Sequence, residues 1–501
     1  MKNKISIILR VLVLAALVAF EALVCFCILR LDMLPTLYEV ALIGLFLLIA
    51  IGVGALLLVH KKGKKVSLVR MILATVLALV LMAGCLLGAH MTSKFYDTMV
   101  QITNTPKPNS ERNVYVLVDD LAQTIADAAS YTFGTVAGYD ENCTQQVLDA
   151  INAELGVSVN VQAFESVPAM LDALYEKQIG AVILNGGYLS ILEDDSRYVS
   201  FSEETRVLYT VPVIEEGKVE APVIEPDTTA NITNTPFVLY LSGQDGYAEN
   251  LVVTRSDVNI LMVVNPNTKQ ILMVNTPRDY YVVHPWGSGA RDKLTHCGIY
   301  GIDCSIQALE NLYGIEINHY AQINFNGFKA LIDGIGGITV YSDNAFIGDE
   351  QVQIVAGENF MDGQKALHFA RDRYHQPGGD NGRGQNQMKV IRAVINKVTS
   401  GSTFIKKYAT IFDSLDGMFA TSVTIEDMGR LAKMQLADMA QWNVQTYAVT
   451  GFGDSQKTYS MPSLYAYVMQ PNEKAVKYGS ELINRVLSGE VLTAEDMKLP
   501  E

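Results

Sequence analysis

The chain has 501 residues, a formal net charge of −15 and 49% hydrophobic residues, a length that calls for two or three domains rather than one. The charge is unevenly placed. Residues 1–90 carry nine Lys/Arg against three Asp/Glu, and the rest of the chain carries 29 against 50. A net-acidic C-terminal part excludes a generic nucleic-acid binder, so a phosphate site there has to be a local cluster of cations.

Three apolar runs open the chain, at 11–29, 40–59 and 71–89, the first interrupted by Glu21 and the other two free of charge. Each approaches the ~20 residues needed to cross a bilayer as a helix, and a cleaved signal peptide would not be followed by two further spans. Residues 1–90 are therefore expected to be three retained transmembrane helices. Lys61, Lys62, Lys64, Lys65 and Arg70 follow the second run, whereas only Arg30 separates the first two. The positive-inside bias then places the N-terminus and the lysine loop in the cytoplasm and everything after Ala89 outside. Glu21 either faces the bundle or a polar ligand, or is an acid tolerated near the outer interface. Cys143, Cys297 and Cys304 fall outside the spans, an odd number without metal-ligand spacing. If Cys297 and Cys304 share one helix, the ~1.5 Å rise per residue holds them ~10 Å apart, too far to bridge.

Residues 91–112 are polar and read as an extracellular tether. Helices at 122–129, 144–155 and 167–176 alternating with strands at 113–117, 157–161 and 180–185 predict a small α/β accessory domain over 113–214. It carries no nucleophile, metal cluster or phosphate loop. Residues 215–236, acidic and holding Pro222, Pro226 and Pro236, form a linker by composition. A larger domain at 237–501 opens with strands at 237–242, 258–265 and 270–275. Asp245, Arg255, Asp257, Arg278 and Asp279 sit at the ends or flanks of these strands, where α/β folds place ligands. Further helices are predicted at 304–312, 327–334, 363–369, 403–416, 425–441 and 472–487, and strands at 319–323 and 337–341. Phe328, Leu331, Ile332 and Ile335 recur at helical spacing, as core or as the wall of a lipid tunnel.

The densest cluster runs from Ala370 to Gln387. Arg371 and Arg373 end one helical pattern, Arg383 and Gln387 open the next, and Gly378-Gly379 turns between them. Guanidinium groups match phosphate oxygens bidentately, and glycines let backbone N–H groups approach an anion. Read alone, the same stretch also fits a solvated loop with structural ion pairs. Arg255 and Asp279 equally fit pairing with neighbours, and Lys293 and His296 fit a helix start.

The motifs Ser242-Gly-Gln-Asp245, Thr254-Arg-Ser-Asp257, Thr276-Pro-Arg-Asp279, Lys293-Leu-Thr-His296, Asp333-Gly-Ile-Gly-Gly337, Ala370-Arg-Asp-Arg373 and Gly379-Asp-Asn-Gly-Arg383 occur in that order. Together they resemble the LytR-CpsA-Psr family, which attaches glycopolymers to the Gram-positive cell wall. Three spans and an accessory domain resemble its capsule-associated branch. Asn386 departs from the pattern, since the family usually has arginine there. The resemblance implies an αβα sandwich with a mixed central sheet and a phosphotransferase moving a polymer from polyprenyl pyrophosphate to peptidoglycan. The expected polymer is a capsular polysaccharide and the expected partners include the capsule machinery. Arg278, Arg371, Arg373, Arg383 and Gln387 would bind pyrophosphate, and Asp380, Arg371 and Arg373 would be catalytic. Asp245 and Asp257 would hold Mg²⁺, or Mn²⁺ in its place. A polyprenyl-pyrophosphate hydrolase and a non-enzymatic lipid-binding regulator are the alternatives.

Overall fold

The computed structural model describes residues 2–59, 67–103, 111–137, 141–192, 195, 197–213, 231–244, 246, 250–287, 289–375, 379–400, 415, 417–462 and 465–500. Asp245, the predicted helix at 403–416 and most of the linker lie outside them.

Three helices, α1 (Lys2–Leu31), α2 (Thr36–Leu58) and α3 (Leu68–Thr103), open the chain, and all three are long and apolar enough to cross a membrane. Leu17, Val53, Leu57, Ala74 and Ala78 pack between them, and Glu21 is buried in the same bundle at 5% exposure. The bundle interior, not the outer interface, thus receives this acid. The third helix continues well beyond the apolar run, so much of the polar stretch expected as a tether is helical. No Gly or Pro breaks it between Ala89 and Thr103. Thr92, Thr98 and Thr103 return their hydroxyls to the carbonyls of Gly88, Lys94 and Met99 at 2.8, 3.0 and 3.0 Å, satisfying their own side chains within the helix.

The accessory domain is built from β1 (Glu111–Leu117), β2 (Thr132–Val136), α4 (Glu141–Leu155), β3 (Asn160–Phe164), α5 (Val167–Tyr175), β4 (Ala181–Asn185) and β5 (Thr205–Pro212). Its sheet has the order β3-β2-β4-β1-β5, with β2 parallel to β3 and β4, and β1 antiparallel to β4 and β5. The helix expected at 122–129 is a run of turns. Asp127 takes the N–H groups of Gln123 and Thr124 at 3.0 and 2.8 Å, and Asp120 takes that of Ala122 at 2.8 Å. Such local carboxylate bonds compete directly with the helical ladder.

The larger domain follows as β6 (Phe237–Gln244), β7 (Ser256–Asn265), β8 (Gln270–Asn275), β9 (Tyr281–Val283), β10 (Arg291–Lys293), α6 (Ile302–Tyr313), β11 (His319–Ile323), α7 (Phe325–Gly334), β12 (Ile338–Ser342), β13 (Gly357–Met361), α8 (Gly363–Arg371), α9 (Gly379–Thr399), β14 (Phe419–Thr421), α10 (Ile425–Asp438), β15 (Asn443–Ala448), β16 (Gly451–Lys457), β17 (Tyr465–Pro471) and α11 (Glu473–Leu487). Six of these strands form the central sheet, β14-β11-β6-β7-β8-β15. It is mixed: β11 is parallel to β6 and β15 to β8, and β7 is antiparallel to both neighbours. Alternate strand residues point to opposite faces. Val238, Tyr240, Leu261, Val263, Leu272 and Val274 therefore pack with α6 and α11. Phe237, Ile260, Met262, Ile271 and Met273 pack with Met388, Ile391 and Ile395 of α9 and with Met428 of α10. Coverage on both faces explains why these strands read as unbroken apolar runs, and it produces the expected αβα layering.

Contacts between distant segments join the units. At the end of β4, Asn185 donates its side-chain N–H to the Ile299 carbonyl at 3.2 Å, and the Tyr188 hydroxyl donates to the Ser460 carbonyl. Gly187 passes so close that a Cβ there would lie 3.0 Å from the Val253 carbonyl oxygen. On the other side Lys433 of α10 pairs with Asp32 at the α1–α2 turn. Ile425 and Met428 pack with Leu31, Phe95 and Met99, seating the larger domain on the ends of α1 and α3.

Candidate functional site

Because β6 and β8 both run antiparallel to β7, the ends of β6 and β8 and the beginning of β7 share one edge of the sheet. Beneath that edge lies a polar network. The Tyr240 hydroxyl donates to Asn259 Oδ1 at 2.6 Å and lies 3.0 Å from Ser256 Oγ, which is 2.8 Å from Ser242 Oγ. Two of the serines that punctuate the sequence motifs are thus spent on holding the strand ends together.

Asp257 sits above this network. Arg278, just after β8, places Nη1 2.8 Å from each of its carboxylate oxygens, and the Thr295 hydroxyl donates to Oδ1 at 3.1 Å. Burial alone would push this carboxyl up, but Arg278, Arg383 and Arg255 outweigh it and hold it at about 2. These three arginine residues are 9%, 6% and 4% exposed in that order. Asp279 lies 3.7 Å from Arg278 Nε and 3.5 Å from Lys293 Nζ. Asp279 is therefore a partner of its neighbours, and Lys293 is a buried cation of the cluster as well as the residue preceding a one-turn helix, Leu294–Cys297. His296 donates through Nδ1 to the Asp292 carboxylate at 2.7 Å, a buried pair one helical turn apart.

Arg383 arrives from α9, which crosses the C-terminal end of β8. Gly384 is needed there, since a Cβ would fall 2.2 Å from the Asn275 side-chain nitrogen. Gln387, one turn on, is 8% exposed. Asn386 donates its side-chain N–H to the Phe369 carbonyl at 3.2 Å, so the position where the family carries arginine here ties α9 to α8. Arg371 ends α8 with its guanidinium 4.3 Å from the centre of the Phe325 ring. The Phe325 N–H in turn donates to the Gly246 carbonyl at 3.3 Å, which brings Arg371 beside the β6–β7 connection. Arg373 lies over Tyr374 at 5.6 Å. Between these two arginines Asp372, 6% exposed, accepts the N–H groups of Tyr374 and His375 at 3.1 and 2.9 Å and pairs with the His375 ring at 2.9 Å. It shapes the turn, and His375 is part of it.

The structure thus gathers Asp257, Arg278 and Arg383 into one cluster with Arg255, expected at a strand flank, and adds Lys293, expected as a helix start, and Thr295. The antiparallel register of β7 with β8, the return of the 291–297 segment and the passage of α9 over the end of β8 bring these together. Asp380 opens α9, and its side chain lies outside the described part of the chain, as does all of Asp245. Ile332 and Ile335 are core side chains packed with Ile338, Val340, Met361 and Phe369, and Phe328 and Leu331 pack against that core.

The sequence profile of the LytR_cpsA_psr family matches residues 199–478. A protein of Enterococcus faecalis named polyisoprenyl-teichoic acid–peptidoglycan teichoic acid transferase TagU is 36% identical over 208 residues, covering 40% of this chain and 67% of that protein. A protein of the same name from Oceanobacillus iheyensis is 34% identical over 208 residues, covering 40% and 63%, so the match spans about two thirds of these relatives. The crystal structure of B. subtilis TagV aligns with 52% of this chain and 99% of that one, at 24% identity and a TM-score of 0.43. With the family profile spanning more than half of its length, the chain belongs to the LytR_cpsA_psr family.

Proposed function

We propose that the protein is a membrane-anchored phosphotransferase that moves a glycopolymer, with one phosphate, from a polyprenyl pyrophosphate to a hydroxyl of peptidoglycan. The observation that carries this reading is the set of three buried arginines around Asp257 in an otherwise acidic part of the chain. Guanidinium groups that hold Asp257 ionised also offer the planar donor forks that pyrophosphate oxygens take up. Phosphoryl transfer asks mainly for positioning and charge neutralisation. The bond between the two phosphates breaks, the acceptor oxygen bonds to the polymer-side phosphorus, and prenyl phosphate departs. Arg278, Arg371, Arg373 and Arg383, with Gln387, bind the pyrophosphate. Arg371 and Arg373 neutralise the charge that develops, and Asp380 takes the acceptor's proton.

A divalent cation fits the donor set. Asp257 stays ionised at any physiological pH, and a carboxylate with spare lone pairs suits a hard, oxygen-seeking ion once phosphate oxygens share the charge. Asp257 and Asp245 would hold Mg²⁺ or Mn²⁺, which supplies further neutralisation of the phosphates.

The apolar groups Leu239, Leu241, Ile391, Ile395, Met428 and Leu431, partly buried on the α9–α10 face of the sheet, support a path for the prenyl chain. Met428 also touches the cluster at the ends of α1 and α3, so such a chain would pass from the bilayer onto the domain. The accessory domain and three spans support a capsular polysaccharide as the polymer. The names of the relatives favour teichoic acid as the second reading.

In this reading the larger domain lies outside the cell, supported by the basic loop after the second apolar run. In a background without native cysteines, Gly63→Cys should resist impermeant thiol reagents in intact cells and Lys218→Cys should label, and the reverse pattern would overturn the orientation. The activity is tested by incubating the full chain with a prenyl-pyrophosphate glycan, Mg²⁺ and peptidoglycan fragments. Covalent glycan on peptidoglycan is expected. Release of prenyl phosphate without acceptor modification would make the protein a hydrolase, and lipid binding without turnover would make it a regulator.

A further inference from the structure

Behind the arginine cluster lies a second group that the transfer chemistry does not use. His284, Cys297 and Cys304 bring one nitrogen and two sulfur atoms within 4.8 Å of one another. Both cysteines are 0% exposed and His284 1%. The expectation that the two thiols stand ~10 Å apart rested on one continuous helix. The chain breaks that helix. Cys297 closes the one-turn helix Leu294–Cys297, Gly301 turns the backbone at φ +97°, and Cys304 lies in the first turn of α6. A positive φ of that kind is open to glycine at little cost, and the reversal folds the second sulfur back towards the first.

Two kinds of chemistry suit the trio, and the hydrogen bonds favour one. His284 Nδ1 accepts the Trp286 backbone N–H at 3.3 Å, so the ring proton belongs on Nε2, which faces Cys304 Sγ at 3.5 Å. A metal-binding imidazole needs the opposite arrangement, with a lone pair on Nε2 and Nδ1–H donating outward. Three donors also fall one short of a structural tetrahedral site among the described residues. What remains is a pair of adjacent thiols, one of them receiving a hydrogen bond from the imidazole.

We infer that Cys297 and Cys304 form a disulfide in the exported chain. Each sulfur gives up its proton, the two sulfurs bond, and the two electrons reduce an exogenous disulfide to two thiols through a mixed-disulfide intermediate. The exchange takes place before the 291–304 segment is packed, because both sulfurs are closed off afterwards. The bond ties the turn carrying Lys293 and Thr295 to α6. Those two residues reach Asp279 and Asp257, so the bridge braces one wall of the arginine cluster. The inference does not depend on the transfer reaction.

The test uses the full-length chain in detergent, unfolded and refolded in excess oxidised glutathione, then denatured without reductant, alkylated with iodoacetamide and digested. Peptides holding Cys297 and Cys304 should be recovered linked, about 2 mass units lighter than the sum of the two thiol peptides, and Cys143 should be alkylated or carry glutathione. Reducing the refolded protein should lower its melting temperature by a few degrees, a sensitivity that the Cys297→Ser/Cys304→Ser variant should lack. Alkylation or separate glutathionylation of both Cys297 and Cys304 would overturn the inference. So would stoichiometric zinc that shields both thiols without a linked peptide.

Discussion

The two α/β domains are layered alike and differ in where they keep their charge. In the smaller one, Lys177 and Asp119 pair at 3.1 Å with side chains 67% and 66% exposed. Among its described residues, Arg112 is the one charged residue that is fully buried. In the larger one, Arg255, Arg278, Arg383, Lys293 and Asp279 are all less than 10% exposed and share one edge of a sheet. An exposed pair is worth little and costs little. Like-charged guanidiniums brought together out of water cost stability unless anions compensate them. The concentration of buried charge in the larger domain supports the proposed pyrophosphate site there.

The contrast can be tested by removing charges in order of expected effect. Arg278→Ala takes away the guanidinium on both oxygens of Asp257 and should cost both activity and fold. A charge-assisted bond to phosphate contributes about 1.5–3 kcal/mol, so turnover should fall about 10- to 100-fold or more. Loss of one partner of a buried ion pair should also destabilise by about 3–5 kcal/mol. Arg278→Lys should recover charge but only part of the activity, since the planar fork is gone. Full turnover in Arg278→Ala would end the proposed role.

Arg371→Ala separates the two costs. Its guanidinium is exposed and stacks on Phe325, so turnover should drop about 10-fold or more with the thermal midpoint nearly unchanged. An equal loss of both would mean that Arg371 serves the fold instead. Metal removal comes next. Chelation should abolish turnover of the native chain, and residual activity should be insensitive to chelator in Asp257→Asn. Turnover that is unchanged in chelator would rule the metal out.

Acid titration measures the same cluster through stability. The folded pKa of Asp257 lies below the ordinary value of about 3.9. Its contribution is therefore complete above about pH 4 and is lost as pH falls towards 2. About two units correspond to roughly 2–3 kcal/mol. Denaturant titrations between pH 5 and pH 2 should show this decline in the native chain and a flatter profile in Asp257→Asn. Lys177→Ala, the smallest change, should leave turnover and stability within error. A large effect there would break the distinction between the domains.

Several features follow from the sequence alone because they depend on local composition. Apolar runs of about twenty residues define the three spans, and unbroken apolar strands announce a sheet covered on both faces. Arg278, Arg383 and Asp257 stand out because they fall beside strand ends and a glycine turn, although that pattern alone fits structural ion pairs equally well. Other features depended on contacts between distant segments. Thr295 and Lys293 join the site because a return loop places them against Asp257 and Asp279, and no periodicity encodes that return. The helix expected at 122–129 is lost to the carboxylates of Asp120 and Asp127, whose local bonds outweigh a weak propensity. Cys297 and Cys304 meet because Gly301 turns at positive φ, a backbone choice that spacing cannot reveal. Sequence thus determined which groups are costly to bury, and tertiary structure decided which of them are buried together, because burial is a property of the packed chain and not of any one segment.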